Sequence, residues 1–149
     1  MRILIDADSC PVINETKKIA NKYSIDVLLF SNINHNLEKY DLPTIISDSS
    51  KEQTDINLIN HSAKGDLVIT NDIGLASLAL GKGCICIKHN GMIFTENNIL
   101  SLLATRHISR KQRKMGDYKN HFKFNYTSDI SFNASLENII VKELKLDVQ

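Results

Sequence analysis

Two aspartates close the first apolar run of this chain: Ile3, Leu4 and Ile5 lead directly into Asp6, Ala7 and Asp8, followed by Ser9, Cys10 and Pro11. Residues two apart on an extended strand share a face, so a strand continuing through Asp8 gathers two negative charges in one place. A second acidic end lies near mid-chain, where Leu67, Val68, Ile69 and Thr70 run into Asn71 and Asp72. Hard divalent cations take oxygen ligands, and Mg²⁺ needs only a few carboxylates because it keeps water and substrate oxygens. Asp6, Asp8 and Asp72 therefore predict a site for Mg²⁺ or Mn²⁺. Glu52 and Asp55, three apart near the start of a predicted helix, share a face that extends the cluster from the side. Carboxylates so close repel one another, which raises their pKa values until a cation relieves the strain. Such a cation can also activate water against a phosphodiester.

Each residue also has a structural role open to it. Asp72 is as well placed to cap a helix as to bind an ion, and Asp8 suits the cap or turn before the first helix. Asp55 favours a helix N-terminus electrostatically. Thr70 and Asn71 can hydrogen-bond a ligand, orient Asp72 or satisfy local backbone, and Asn32, after Leu28 to Phe30, has the same divided reading. Asp6 is hardest to explain structurally, because an unpaired carboxylate ending a buried strand is costly. His35, His61, His89, His107 and His121 show no zinc-like spacing.

The elements that must position these groups alternate. Apolar, β-rich runs predict strands near 2–6, 26–30, 44–47, 67–70 and 84–87, with a short one near 92–94. Pro11 suits a first helical turn, and Val12, Ile13, Thr16, Ile19 and Ala20 give an amphipathic helix to about Lys22. Further helices are expected over Glu52 to Ala63, over Ile73 to Leu80 behind Asp72, and from Glu96 behind a Thr95 cap through to about Gly116. A last amphipathic helix covers 129–144. Alternating β and α units imply an α/β fold, a three-layer α/β/α sandwich with a mostly parallel central sheet plus C-terminal helices. Ligands in such sheets bind beyond the carboxyl ends of the strands at a switch in strand order. That rule brings Asp6, Asp8 and Asp72 to one edge.

With 149 residues the chain is expected to be a single domain, with an α/β core over 1–105, a basic helix end and irregular connection over 106–128, and the final helix. No apolar run approaches the roughly 20 residues that span a bilayer, so no membrane association is expected. Three cysteines, Cys10, Cys84 and Cys86, are too few and odd in number for a disulfide framework. They predict buried small hydrophobes in a reducing cytoplasm, as does the absence of a leader-like N-terminus. The net charge of +1 conceals a division: residues 1–105 hold nine basic and twelve acidic side chains, and residues 106–123 hold seven and one. Arg106, Arg110, Lys111, Arg113 and Lys114 lie in that basic stretch, with aromatic residues nearby. This mixture suits the phosphates and bases of single-stranded or structured RNA, although a solvated helix end has the same composition.

Three ordered motifs, Ile5-Asp6-Ala7-Asp8-Ser9-Cys10-Pro11, Gly65-Asp66 through Asp72-Ile73-Gly74-Leu75-Ala76, and Phe94-Thr95-Glu96-Asn97-Asn98-Ile99, resemble the bacterial YaiI/YqxD family. The likeness covers roughly residues 2 to 115 and returns in the last helix. That family is grouped with PIN-like domains, which implies a metal-dependent ribonuclease site: Asp6 and Asp72 match its core acids, Asp8 an accessory one and Asp55 its helix acid. Glu52 stands where relatives tend to have aspartate. The chain departs from the family pattern at Ser9 (usually alanine), Gly74 (proline), Lys88-His89-Asn90-Gly91 (Asn-Pro-Arg-Gly) and Arg106-His107 (Arg-Asp). It also lacks a Gly-Gly-Pro loop before the last helix. The expected function is a Mg²⁺- or Mn²⁺-dependent nuclease acting on RNA. Two alternatives stand beside it. Asp6-Ala7-Asp8 resembles the acid pair of a haloacid-dehalogenase phosphatase, though Ser9-Cys10 replaces the expected Gly-Thr. A non-catalytic nucleic-acid or protein-binding module would keep the fold without turnover.

Overall fold

The computed structural model describes residues 1–8, 10–32, 36–48, 50–114 and 128–145, with the side chains of 106–114 and 128–131 left out of the description. Strands β1 (Ile3–Asp6), β2 (Val27–Asn32), β3 (Thr44–Ser47), β4 (Leu67–Ile69), β5 (Ile85–Ile87) and β6 (Ile93–Phe94) form one sheet in the order β3-β2-β1-β4-β5-β6. All neighbouring pairs are parallel except β5 with β6. Helices α1 (Ile13–Lys22), α2 (Lys51–His61), α3 (Ile73–Gly81), α4 (Glu96–Lys114) and α5 (Ser128–Glu143) cover its two faces.

Strand alternation decides which residue meets which layer. Ile3, Ile5, Leu29, Leu67 and Ile69 pack with Val12, Ile13 and Ala20 beside α1 and with Phe132, Leu136 and Ile140 of α5. Leu4, Phe30, Val68 and Cys86 point the other way, onto Leu58 of α2, Leu75, Ala76 and Ala79 of α3, and Ile99 of α4. This is the expected α/β/α sandwich. Buried on both faces, the central strands have to be continuous apolar runs, as Ile3–Ile5 and Leu67–Ile69 are. Asp6 is in phase with Leu4, so its carboxylate belongs to the α2 and α3 side.

The chain winds from β1 outward to β3, returns through α2, and resumes at β4 on the other side of β1. The strand order therefore reverses at β1 and β4, and Asp6 and Asp72 stand at the carboxyl ends of those two strands. Local signals set the boundaries. Ser50 caps α2 by accepting a hydrogen bond from the Gln53 N–H at 3.1 Å. Thr95 and Asn98 cap α4 reciprocally: Thr95 Oγ1 accepts from the Asn98 N–H and Asn98 Oδ1 from the Thr95 N–H. Gly65 turns the chain from α2 into β4 at φ 91°, in the left-handed region open to glycine.

Three details differ from the sequence-based expectations. Helix α1 begins at Ile13, after a turn at Pro11, and Asp8 does not cap it; Val12 stands at the cap with no side-chain bond. Strand β2 continues past Phe30 through Ser31 to Asn32, paired with Ile46 and Ser47. Helix α2 stops at His61 rather than Ala63, because Ser62 is extended and Asp66 holds the following turn through the Ala63 N–H. The expected irregular connection at 117–128 lies outside the described residues up to 127. No described helix is long and apolar enough to cross a membrane. Cys10, Cys84 and Cys86 are buried thiols, as small apolar residues would be.

Candidate active site: an acidic cleft at the strand switch

Asp6 is 6% exposed at the end of β1. Its Oδ2 accepts a hydrogen bond from Thr70 Oγ1 at 2.9 Å, whereas its Oδ1 is buried with no hydrogen-bond partner among the described residues. The Thr70 hydroxyl also accepts from the Asp72 N–H at 3.0 Å. One hydroxyl thus ties the first acid to the backbone of the second. This resolves the divided reading of Thr70: it orders the two acidic strand ends. Asp72 likewise has both roles open to it, since Oδ1 caps α3 by accepting from the Leu75 N–H at 3.2 Å while Oδ2 lies 3.1 Å from Lys51 Nζ.

A cleft of about 460 Å³ opens above this pair, lined by Asp6, Asp8, Asn71 and Asp72 together with Lys51, Ile73 and His89. Asp8 arrives by a different route from the one alternation predicts. The strand ends at Asp6, the chain turns, and Asp8 Oδ1 accepts from Ser31 Oγ at 2.9 Å at the end of β2, with the Asn32 N–H more distant at 3.4 Å. Asn32 therefore helps seat Asp8 through its backbone. Asn71 Oδ1 accepts from the His89 N–H at 3.0 Å, which fixes the turn after β5 against the β4 end.

Asp55 reaches the cluster from α2. It is half-buried, and its Oδ1 has no hydrogen-bond partner among the described residues. Burial, then the charges of Asp6 and Asp72, push its pKa up to about 6, with Lys51 opposing. Burial also raises the Asp6 pKa, against the Thr70 hydrogen bond and with help from Asp8. Lys51 feels the reverse: burial alone would lower its pKa, but its hydrogen bond to Asp72 and the neighbouring carboxylates raise it overall. Glu52 is exposed and does not line the cleft. Helix α2 turns Thr54 and Leu58 inward, which leaves Glu52 in solvent despite its spacing from Asp55.

The sequence reading missed Lys51 and His89. Lys51 precedes Asp55 by one helical turn, and that i, i+4 relation was a usable signal. His89 follows the apolar β5 as Asp72 follows β4. Burial pushes its pKa down to about 4, so the imidazole is neutral near pH 7, with Nε2 buried and unpartnered among the described residues. Arg106, Arg110, Lys111, Arg113 and Lys114 fall in the second half of α4, and their side chains lie outside the described residues.

Among the described residues no group of three His, Cys, Asp or Glu converges to hold a metal as it stands. An ion that takes one or two carboxylates and fills its remaining positions with water suits Asp6 and Asp72. The unpartnered Oδ1 of buried Asp6 is an oxygen that such an ion would satisfy. Thr70 holds the pair together, so its hydroxyl is open to test. Thr70→Val conserves shape but strands the Asp72 N–H and removes the donor to Asp6, and should destabilise the protein by about 1–3 kcal/mol in urea unfolding. An unchanged midpoint would show that the bridge contributes nothing.

The comparisons with known proteins agree with the motifs. A family model described as uncharacterized BCR, YaiI/YqxD family, matches residues 4–142. The chain is 39% identical over 143 residues to a UPF0178 protein of Natranaerobius thermophilus, covering 95% of this chain and 97% of the relative. It is 41% identical over 146 residues to one of Alkaliphilus oremlandii, covering 94% of each. No solved structure matches. With the family model spanning nearly the whole chain, and full-length relatives at about these identities, the protein belongs to the YaiI/YqxD family.

Proposed function

We propose that this protein is a nuclease dependent on Mg²⁺ or Mn²⁺ that cleaves RNA in the acidic cleft. The observation that carries this reading is the Asp6–Thr70–Asp72 bridge at the reversal of strand order, with one oxygen of buried Asp6 left for a ligand. Asp6 and Asp72 would hold the cation, with Asp8 and Asp55 orienting water beside it. Bound there, a divalent cation acidifies water and offsets the charge that develops on phosphorus oxygens.

The remaining chemistry belongs to the chain. Asp55, on α2 within reach of the charges of Asp6 and Asp72, suits the general base. Asp8, seated by Ser31, orients water at the mouth. The basic second half of α4 would follow the phosphate backbone through Arg106, Arg110, Lys111, Arg113 and Lys114.

The test is cleavage of a single-stranded RNA by purified protein in Mn²⁺ and in EDTA, with Asp72→Asn as control because asparagine still caps α3. Cleavage in Mn²⁺ alone, lost in Asp72→Asn, is the expected result. Cleavage that persists in the variant would trace to a contaminant. Phosphate release from a small phosphomonoester without RNA cleavage would favour the phosphatase. Salt-sensitive RNA binding without cleavage, abolished by neutralising Arg110, Lys111, Arg113 and Lys114, would identify a binding module.

A further inference from the structure

We propose that Lys51 is a built-in counter-ion of the acidic cleft, which a divalent cation must displace in order to bind. The inference rests on the metal reading above and concerns how that site is controlled. Lys51 Nζ lies 3.1 Å from Asp72 Oδ2, and the two side chains differ sharply in exposure, 62% against 14%. A largely exposed side chain thus ends against a largely buried carboxylate. Its charge acts on Asp6 and Asp55 as well as on Asp72.

Nothing in helix α2 calls for a lysine at this position. Lys51 is its first residue, where the positive end of the helix dipole disfavours a cation, and Ser50 already supplies the cap. The acids opposite are what hold it there. Metal and ammonium compete for the same oxygen: a Mg²⁺-type ion binds carboxylate at about 2.0–2.1 Å, and an ammonium left beside it would be a like charge within a few ångströms. Mounted on an exposed flexible stem, Lys51 can swing into solvent when the metal enters. Metal affinity is then set by an exchange of one cation for another.

The test measures Mn²⁺ affinity by calorimetry at fixed low salt for wild type, Lys51→Met and Lys51→Arg, with thermal unfolding as the check that each folds. Methionine keeps the stem and removes the charge; arginine keeps the charge. Lys51→Met should bind Mn²⁺ on the order of 5–10-fold tighter than wild type, and Lys51→Arg should not. Binding by Lys51→Met with none detectable in wild type would be the same effect at its extreme. Equal or weaker binding by Lys51→Met, while wild type binds, overturns the counter-ion role and leaves the metal site standing. Binding by none of the three overturns the metal reading and this inference with it.

Discussion

Asp6→Asn is expected to stabilise the metal-free protein and to lower metal-dependent cleavage by on the order of 10²–10³-fold, the usual effect of losing a group that places charge at a reacting centre. Both effects arise from one carboxylate. Asparagine can still accept from Thr70, so the bridge to Asp72 survives, but the buried negative charge goes. Asp6 has a raised pKa in the folded state, so the native protein binds more protons than the unfolded chain just above the ordinary carboxylate range. Stability therefore falls as pH rises through that window, and the penalty is fully present above the folded pKa. Asp55→Asn should show the same pattern between about pH 4 and the folded pKa of about 6. Discounted for its partial exposure, its gain at neutral pH is on the order of 1 kcal/mol, or about 2–4 °C in Tm. Thermal melts of both variants at pH 4 and pH 7.5 would check the sign. A loss of stability at pH 7.5 would mean that these carboxylates are paired structurally rather than held in reserve.

Asp66→Ala should do the reverse: destabilise the protein by about 2–4 kcal/mol while leaving cleavage per folded molecule unchanged. Asp66 is 5% exposed at the opposite edge of the sheet, where β4 begins. Oδ1 accepts from the Arg2 N–H at 3.1 Å, and Oδ2 accepts from Arg2 Nη2 and the Ala63 N–H, each at 2.9 Å. Burial alone would raise its pKa, but the bonds from Arg2 and Ala63 outweigh that and hold it below the usual carboxylate range. Its stabilisation is present above the unfolded pKa and is lost as pH falls through the folded one. Urea unfolding of wild type and Asp66→Ala at pH 7 and pH 3 should therefore show a gap that narrows in acid. A wide gap at pH 3 would place the effect in packing instead. Two aspartates beside two apolar strands thus differ in use because one is fully bonded and the other is not.

Much of this arrangement was legible from local pattern. Ile3–Ile5 and Leu67–Ile69 announced central strands, and the rule for open parallel sheets brought Asp6 and Asp72 together across the sequence. What pattern could not supply was partner choice. Alternation placed Asp8 on the face of Asp6, yet the strand ends at Asp6 and Asp8 is seated by Ser31 from another strand. Helical spacing joined Glu52 to Asp55, but the burial of Thr54 and Leu58 rotates Glu52 into solvent. Lys51 fell just outside the helix expected from Glu52, and its partner, Asp72, lies on a different element. His89 sat in a polar turn with no periodicity, and the hydrogen bond from its backbone N–H to Asn71 ties it to the cleft.

The central claim is that the Asp6–Asp72 pair holds a divalent cation in the folded state. A ligand that binds only the native protein must raise its stability, by about 2.7 kcal/mol at a hundred times its Kd. The direct measurement is a Mn²⁺ titration followed by thermal unfolding, run on wild type, Lys51→Met, Asp6→Asn and Asp72→Asn. A saturating rise in the Tm of wild type and a flat response in both aspartate variants are expected. A Tm that does not move with Mn²⁺ in wild type and in Lys51→Met alike, or one that rises equally in wild type and both aspartate variants, would contradict the claim.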